Sequence, residues 1–333
     1  MRLAAACLLA AALLAGCGGT REVREPDVVI KGGGAPPAQP GGGRRGGDRP
    51  RIAIVTHGQA SDPFWQIVRN GIDAAQRQVN VQVDYRAPDV YSNDRMRQLI
   101  DQAVASRPDG LVVSIPSPEV IPPIRRAVRA GIPVVSINSG SDVSLRLGTL
   151  AHIGQPEERA GLLAGRRLVA AGAKNALCVN QEIGNEGLAR RCAGFAKALR
   201  EVGGVSQVLA VDTKDIRATR RRLAAAAGRG GVDAVLTLNN TGGEIAAESI
   251  PRRVVLGTFD YSPGVLAGLR SGRIEFAVDQ QPYLQGYLPV VLLAGRIRYG
   301  LFPAQGQVIP TGPSFVTRQN AAQAERLIRL GVR

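Results

Sequence analysis

The chain has 333 residues, with 42 Lys or Arg against 27 Asp or Glu, which gives a formal net charge of +15 at pH 7. Such a charge suggests a nucleic-acid partner, but the arginines are scattered over predicted helix faces, and aromatic residues, at 4%, are too few to stack bases. Only two histidines and no Cys-x-x-Cys pair are present, which disfavours a transition-metal site. We therefore expect no nucleic acid, no metal and no cofactor.

The N-terminal segment indicates export. Residues 1–16, MRLAAACLLAAALLAG, have one basic residue, an apolar run and then small residues, which is typical of a secretory signal and too short for a membrane span. The tetrapeptide that ends at Cys17, Leu-Ala-Gly-Cys, resembles the lipobox of bacterial lipoproteins, so we expect Cys17 to be lipidated. The alternative is an ordinary signal peptide with an incidental cysteine.

A stretch rich in Gly and Pro follows. Residues 17–49 have too few apolar groups to offset the entropy of ordering, which predicts a flexible tether. We therefore expect a soluble body in the periplasm or on the outer cell-envelope surface, held to the membrane only by its lipid.

The rest of the chain alternates β-rich runs with segments of helical period. The ten runs are 51–56, 81–85, 110–115, 133–138, 148–153, 175–180, 206–211, 233–238, 253–259 and 274–279. Several of them, such as GLVVSIP, are apolar on both faces, as a parallel sheet covered by helices requires. The pattern predicts an α/β fold with two doubly wound parallel-sheet lobes of about five strands each.

Two cysteines remain in the expected mature body. Cys7 leaves with the signal and Cys17 is the anchor, which leaves Cys178 and Cys192. Because the chain is expected in an oxidising compartment, we predict a disulfide between them.

Polar residues and an aromatic pair follow the predicted strands, where ligands bind in open parallel sheets. These residues are Asp62, Phe64, Trp65, Asn138, Ser139, Asn239, Asn240, Asp260 and Gln280. Amides both donate and accept, a carboxylate accepts from two neighbouring hydroxyls, and an aromatic ring covers the C–H face of a sugar. The set predicts a neutral polyhydroxylated ligand.

Five of these residues also have a structural alternative. Phe64 and Trp65 open an amphipathic helix, so the alternative for both is packing on the sheet. The alternative for Asn239, Asn240 and Asp260 is capping of the helix that follows. His57 and Glu182 also lie at strand ends, and we assign structural roles to both.

The order of the segments DPFW, GIPVVSINS, ARRCAGF, LTLNN, GTFD and FAVDQQP resembles the type I periplasmic sugar-binding proteins of ABC importers, in particular the ribose-binding group. The resemblance covers residues 50 to about 320. It implies that Asp62, Phe64 and Trp65 contact the ligand from the first loop. It also implies that Arg191 is the sugar-binding arginine, with Asn239, Asp260 and Gln280 as further contacts. The alternative for Arg191 is a solvent-facing helix residue.

Two departures from the family pattern bear on the ligand. Asn138 and Ser139 stand where the family has an Asp-Arg pair, and the position of its second-lobe aromatic lies near Thr213. The first change indicates a monosaccharide other than ribose, or a smaller polyol, and the second indicates that the stacking wall of the second lobe is missing.

The resemblance also implies a mechanism, in which two lobes close on the ligand about a hinge crossed near residues 154, 280 and 311. The lobes are then 50–153 with 281–311 and 154–280 with 312–333. We expect a monomer that delivers its ligand to an ABC permease. The alternative is a sensing protein whose ligand-bound form is read by a chemoreceptor or sensor kinase. No Gly-x-Ser-x-Gly elbow is present, and we expect no enzymatic activity.

Overall fold

The computed structural model describes residues 49–58 and 62–333. The signal segment, Cys17 and all but the last residue of the tether lie outside the described residues, so the predictions made for them stay predictions.

The first lobe is built on a sheet of six parallel strands. Its strands are β1 (Arg51–Val55), β2 (Gln82–Arg86), β3 (Gly110–Ser114), β4 (Val134–Ile137), β5 (Ala151–Gly154) and β11 (Gln307–Pro310). Their order in the sheet is β11-β5-β4-β3-β1-β2. One face packs against α1 (Pro63–Gln78) and α9 (Pro282–Tyr299), and the other against α2 (Asn93–Ala105) and α3 (Ile121–Arg129).

The second lobe repeats this plan. Its strands are β6 (Asn175–Asn180), β7 (Val205–Ala210), β8 (Ala234–Thr237), β9 (Val255–Phe259), β10 (Phe276–Asp279) and β12 (Ser314–Val316). The order is β12-β10-β9-β8-β6-β7, and only β12 runs antiparallel to its neighbour. One face is covered by α4 (Glu157–Ala170) and α5 (Glu186–Arg200), and the other by α6 (Ile216–Gly228), α7 (Asn240–Ser249), α8 (Pro263–Ser271) and α10 (Ala321–Arg329).

The predicted fold class is therefore confirmed, but each sheet has six strands rather than about five. The additional strands are β11 and β12, which join the edge of each sheet. Both are short: β11 is largely exposed and ends at Pro310, whereas β12 runs from an exposed Ser314 to a buried Val316. They lack the apolar run by which the other ten strands are recognised.

The chain passes between the two sheets three times. It leaves the first sheet after β5, returns from β10 through α9 to β11, and crosses again to β12. Side-chain amides bind these crossings together. Gln285 Nε2 donates to the carbonyl of Gln280 at 3.0 Å and to Thr311 Oγ1 at 3.2 Å, and Gln281 Nε2 donates to the carbonyl of Thr311 at 2.7 Å. The lobe boundaries given above stay a proposal.

A disulfide joins Cys178 of β6 to Cys192 of α5, with their Cα atoms 5.7 Å apart. Both residues lie in the hydrophobic core of the second lobe. Within the described part of the chain, no helix is long and apolar enough to cross a membrane.

Candidate functional site

The two lobes contact each other at loops that follow their strands. Ser139, after β4, donates from Oγ to Asn185 Oδ1 at 3.3 Å, and Asn185 Nδ2 lies 3.3 Å from His57 Nε2. The backbone N–H of Glu186 donates to the carbonyl of Pro116 at 2.8 Å. Residues at the carboxyl ends of both sheets therefore face one interlobe cleft.

Arg191 lies on the buried face of α5, and only 3% of the residue is exposed. Its Nη2 donates to Glu157 Oε1 at 2.9 Å and to Gln280 Oε1 at 2.8 Å, while Nε donates to the other oxygen of Glu157. The guanidinium carbon lies 4.5 Å from the centroid of the Phe259 ring. The alternative of a solvent-facing arginine is wrong.

A chain of hydrogen bonds extends from Arg191 to Asp260. Gln280 accepts from the guanidinium and donates from Nε2 to Asp260 Oδ1 at 2.8 Å. Asp260 follows β9 with a backbone φ of +58°, a left-handed conformation that Asp tolerates better than most residues. Burial raises the pKa of Asp260 to about 7, against the opposing effects of Arg191 and Gln280. Asp260 does not cap α8, because Ser262 does so.

The two aromatic residues at the start of α1 have different surroundings: Phe64 borders the interlobe cleft, and Trp65 lies in the core. Asp62 caps the helix by accepting from the N–H of Phe64 at 2.8 Å, and burial raises its pKa. Trp65 is 3% exposed and packs in the core, with its ring perpendicular to that of His57 at 5.0 Å. Phe64 is half-buried and lines a cavity of about 150 Å³ together with Asp260.

That cavity takes its lining from both lobes. Its residues include Phe64 and Ile67 of α1, and Asn240, Asp260 and Tyr261 of the second lobe. A groove of about 280 Å³ between α1 and β2, lined by residues such as Arg69 and Tyr85, belongs to the first lobe alone and contains none of the predicted site residues. The chemistry predicted from the sequence therefore points to the cavity between the lobes.

Three predicted site residues are bonded to other groups of the protein. Asn138 donates from its amide to Gln285 Oε1 at 3.1 Å. Ser139 donates to Asn185 and, at 3.2 Å, to Asn138 Oδ1. Asn239 caps α7 by accepting from the N–H of Gly242 at 2.8 Å, as its structural alternative states.

Three further residues of the cleft were not among the predicted ligand contacts. Glu157 is the buried partner of Arg191, and Asn185 caps α5 by accepting from the N–H of Gly187 at 3.0 Å. Glu182 accepts from Asn185 Nδ2 at 2.8 Å. The sequence signal for Glu182 was its place after β6, whereas Glu157 has none, because its partner is 34 residues away.

The comparisons with known proteins agree with this architecture. A family model described as a periplasmic binding protein domain matches residues 52–299. The chain belongs to the periplasmic binding protein family. Its resemblance to the type I sugar-binding proteins of ABC importers, stated from the sequence, is thereby confirmed.

Several relatives of this periplasmic binding protein have known structures or names. A carbohydrate transporter from Acidothermus cellulolyticus 11B, solved in complex with myo-inositol, is 35% identical with a TM-score of 0.80, covering 86% of this chain and 100% of that one. The xylose/arabinose-binding protein XylF of Sulfolobus acidocaldarius is 26% identical over 295 residues, which are 81% of this chain and 71% of the relative. A solute-binding protein from Burkholderia graminis C4D1M, solved with D-arabinose, shares the fold at 22% identity and a TM-score of 0.73, covering 82% of this chain and 96% of that one.

The ionisable groups of the cleft are mainly acids. Burial raises the pKa of Glu182 to about 7, an effect that Asn185 opposes and Asp62 reinforces. Burial lowers the pKa of His57 to about 3, with Arg191 acting in the same direction, so His57 is neutral at pH 7. Among residues 49–58 and 62–333, no group of three His, Cys, Asp or Glu side chains is arranged to hold a metal ion.

Proposed function

We propose that this periplasmic binding protein is the substrate-binding lipoprotein of an ABC importer, which captures a monosaccharide or small polyol between its lobes and delivers it to the membrane permease. The observation that carries the proposal is the shared interlobe cavity, in which Phe64 of one lobe and Asp260 of the other line the same space. A ligand that contacts both lobes stabilises the closed arrangement over the open one, and a permease that recognises the closed form then distinguishes loaded from empty protein.

The chemistry of the cleft supports a polyhydroxylated ligand. The proposed contacts are Asp62, Phe64, Trp65, Asn138, Ser139, Arg191, Asn239, Asp260 and Gln280. Of these, Phe64 supplies a half-buried ring for a C–H face, whereas Asp260 and Gln280 supply acceptors and donors for hydroxyls. Trp65 supports the site indirectly, because its ring packs in the core and fixes the start of α1.

The relatives support the same class of ligand. The Acidothermus protein was solved with myo-inositol, and the Sulfolobus protein is named for xylose and arabinose. Each of these ligands is small and carries a hydroxyl on most of its carbons. The relatives are binding and transport proteins, which supports a non-enzymatic role.

Calorimetric titration of the purified mature protein tests the proposal. We expect one member of a panel of myo-inositol, D-xylose, D-arabinose and other pentoses, hexoses and cyclitols to bind with one-to-one stoichiometry. The same compound raises the unfolding temperature, because it binds the folded state alone. Absence of binding across the whole panel would contradict the proposal.

A test of import uses the producing cell. Deletion of the gene should abolish uptake of the radiolabelled ligand at low concentration, and the full-length gene should restore it. Unchanged uptake in the deletion strain would contradict the importer role.

A further inference from the structure

The first lobe supplies only apolar side chains to the interlobe cavity. Within the described part of the chain, its share of the lining consists of Pro63, Phe64 and Ile67 of α1 and Pro282 of α9. Both helices pack on the first sheet. Phe64 and Ile67 are half-buried and three positions apart, so their side chains lie on one face of α1. We call Phe64 and Ile67, with Pro63 beside them, the apolar wall of the cavity.

The hydrogen-bonding side chains of the lining all come from the second lobe. They are Asn240, Asp260, Tyr261, Ser262, Asp279 and Arg333. Ile328 of α10, which is half-buried, and Pro263 add apolar surface on this side. The two sides of the cavity therefore differ in chemistry, because the apolar wall offers a ligand no hydrogen-bonding side chain, whereas the second lobe offers several.

Several of these polar side chains are already bonded within the protein. Asp279 accepts from the N–H of Gln281 at 2.8 Å and pairs with Arg333 at 3.2 Å, so the ion pair of Asp279 and Arg333 is neutral as a unit. Ser262 caps α8, and its Oγ donates to Glu244. The partners of these side chains are therefore protein groups and not a ligand.

Asn240 and Asp260 have polar atoms left for a ligand. Asp260 Oδ1 accepts from Gln280 at 2.8 Å, and Asn240 Oδ1 accepts from the N–H of Thr241 at 2.8 Å. Within the described residues, the second carboxylate oxygen of Asp260 and the amide nitrogen of Asn240 make no hydrogen bond. The first atom accepts and the second donates, which suits the hydroxyls of a sugar or cyclitol.

The polar residues that the sequence predicts for the first lobe do not line this cavity. Asp62 caps α1, and Asn138 donates from its amide to Gln285. Ser139 donates to Asn138 and to Asn185. A ligand hydroxyl directed at the apolar wall would therefore lose its hydrogen bonds to water and gain none from a side chain there, which is unfavourable. An apolar group in the same place removes its own surface and that of the half-buried side chains from water.

We propose that the ligand of this cavity is a small sugar or cyclitol that carries a methyl group against the apolar wall, as a deoxy sugar or an O-methyl cyclitol does. This inference rests on the proposed function, since it takes the interlobe cavity as the ligand site. The hydroxyls on the other side of the ligand bond to Asp260 and Asn240. The cavity has a volume of about 150 Å³, whereas pockets for drug-sized ligands measure about 300 to 1,000 Å³, so the apolar group is short.

Calorimetric titration at pH 7 with matched pairs of probes tests the inference. The pairs are L-fucose with L-galactose, D-quinovose with D-glucose, and D-pinitol with D-chiro-inositol. The first member of each pair presents a methyl group where the second presents a hydroxyl. We expect the methyl member of at least one pair to bind about tenfold to a hundredfold more tightly than its partner, which is the range by which an apolar pocket rejects an added hydroxyl.

A variant of the apolar wall tests its part in this preference. Ile67→Thr keeps a branched side chain and adds a hydroxyl, which gives the ligand hydroxyl a partner, so the preference for the methyl member should fall by about threefold or more. Ile216→Thr makes the same change at an exposed isoleucine of α6 outside the cavity and should leave the preference unchanged. An unchanged preference in Ile67→Thr would exclude the apolar wall from ligand recognition.

The outcomes separate the inference from the function beneath it. Equal or tighter binding of the hydroxyl member in every pair that binds would overturn the methylated ligand and leave the polyol-binding function standing. Binding of myo-inositol, D-xylose or D-arabinose, together with no binding by any of the paired probes, would do the same. No binding by any of these compounds would overturn both. If Ile67→Thr does not fold, the comparison in the wild-type protein decides by itself.

Discussion

At the scale of single residues, the surroundings of each side chain decide what it does. Arg190 and Arg191 are adjacent on α5, but the 100° step of the helix sends them to different places. Arg190 pairs with Asp142 of the first lobe at the half-exposed rim, whereas Arg191 pairs with Glu157 in the interior. The sequence alone presents two equivalent arginines, and the difference between them arises from packing.

Asp260→Ala tests the ligand contacts of the cleft. If Asp260 accepts from ligand donors while desolvated, the variant loses charge-assisted bonds of about 1.5 to 3 kcal/mol each, so affinity should fall tenfold to several hundredfold. The measurement is calorimetric titration with the compound that the panel identifies. Glu275→Ala is the control and should bind normally. Full affinity in Asp260→Ala would exclude this carboxylate from the site.

Glu157→Ala tests the buried ion pair. The variant leaves the guanidinium of Arg191 buried without its carboxylate, which should cost about 3 to 5 kcal/mol of unfolding free energy. The exposed pair of Arg166 and Glu201 provides the control, and Glu201→Ala should destabilise the protein far less, because solvent screens this pair. Urea denaturation measures both values. An equal loss of unfolding free energy in the two variants would show that the buried ion pair contributes no more to stability than the exposed one.

At the scale of elements, α5 connects the core of the second lobe to the cleft. Its cap Asn185 reaches His57 of the first lobe, Arg191 lies two turns along it, and Cys192 ties it to β6. The helix therefore links the stability of the lobe to the geometry of the site.

Removal of the disulfide should destabilise the second lobe without abolishing its fold. A loop of about 15 residues corresponds to about 3 kcal/mol in the chain-entropy description. We expect a loss of this size in the double variant Cys178→Ala, Cys192→Ala, measured by urea denaturation. Detection of two free thiols in the denatured, unreduced wild-type protein would contradict the disulfide itself.

Most of the fold follows from local sequence patterns. Runs such as GLVVSIP are apolar on both faces, and β3, which they predict, is buried throughout. The strands β11 and β12 were missed because segments of only four and three residues become strands by pairing with a distant edge. Trp65 lies in the core because its helical phase matches that of Val68 and Ile72, which are buried beside it.

Site residues that follow neighbouring strands could be predicted from the sequence. Site residues whose partners come from distant elements of the fold could be predicted less well. Asp260 and Gln280 follow neighbouring parallel strands, so their proximity follows from the sheet. The roles of Glu157 and Asn185 depend on partners that the fold brings to them from other elements. No local pattern carries that information.

At the scale of the whole molecule, the buried acids make stability depend on pH. Burial raises the pKa values of Asp260 and Glu182 to about 7, whereas carboxyls of an unfolded chain titrate near about 4. Between these values the folded protein binds protons that the unfolded chain has released. The two acids therefore contribute stability that falls as pH rises through this window. Burial also lowers the pKa values of His57 and His152 to about 3 and about 4, so the two histidines contribute in the opposite direction below about pH 6.5.

We accordingly expect the unfolding temperature of the ligand-free wild-type protein to change more unfavourably from pH 5 to pH 8 than that of the double variant Asp260→Asn, Glu182→Gln, in which these two acids no longer titrate. Each unit of pKa difference corresponds to about 1.4 kcal/mol, so the shift should amount to several degrees. Differential scanning calorimetry measures it. The same change of unfolding temperature with pH in the wild-type protein and the double variant would contradict the burial of these acids.

The position of the ligand can be seen in a crystal structure with the tightest-binding member of the panel. We expect the ligand to lie between the lobes, in contact with the ring of Phe64 and within hydrogen-bond distance of Asp260 and Gln280. A ligand bound elsewhere, for example in the groove between α1 and β2, with the interlobe cavity unfilled, would contradict it.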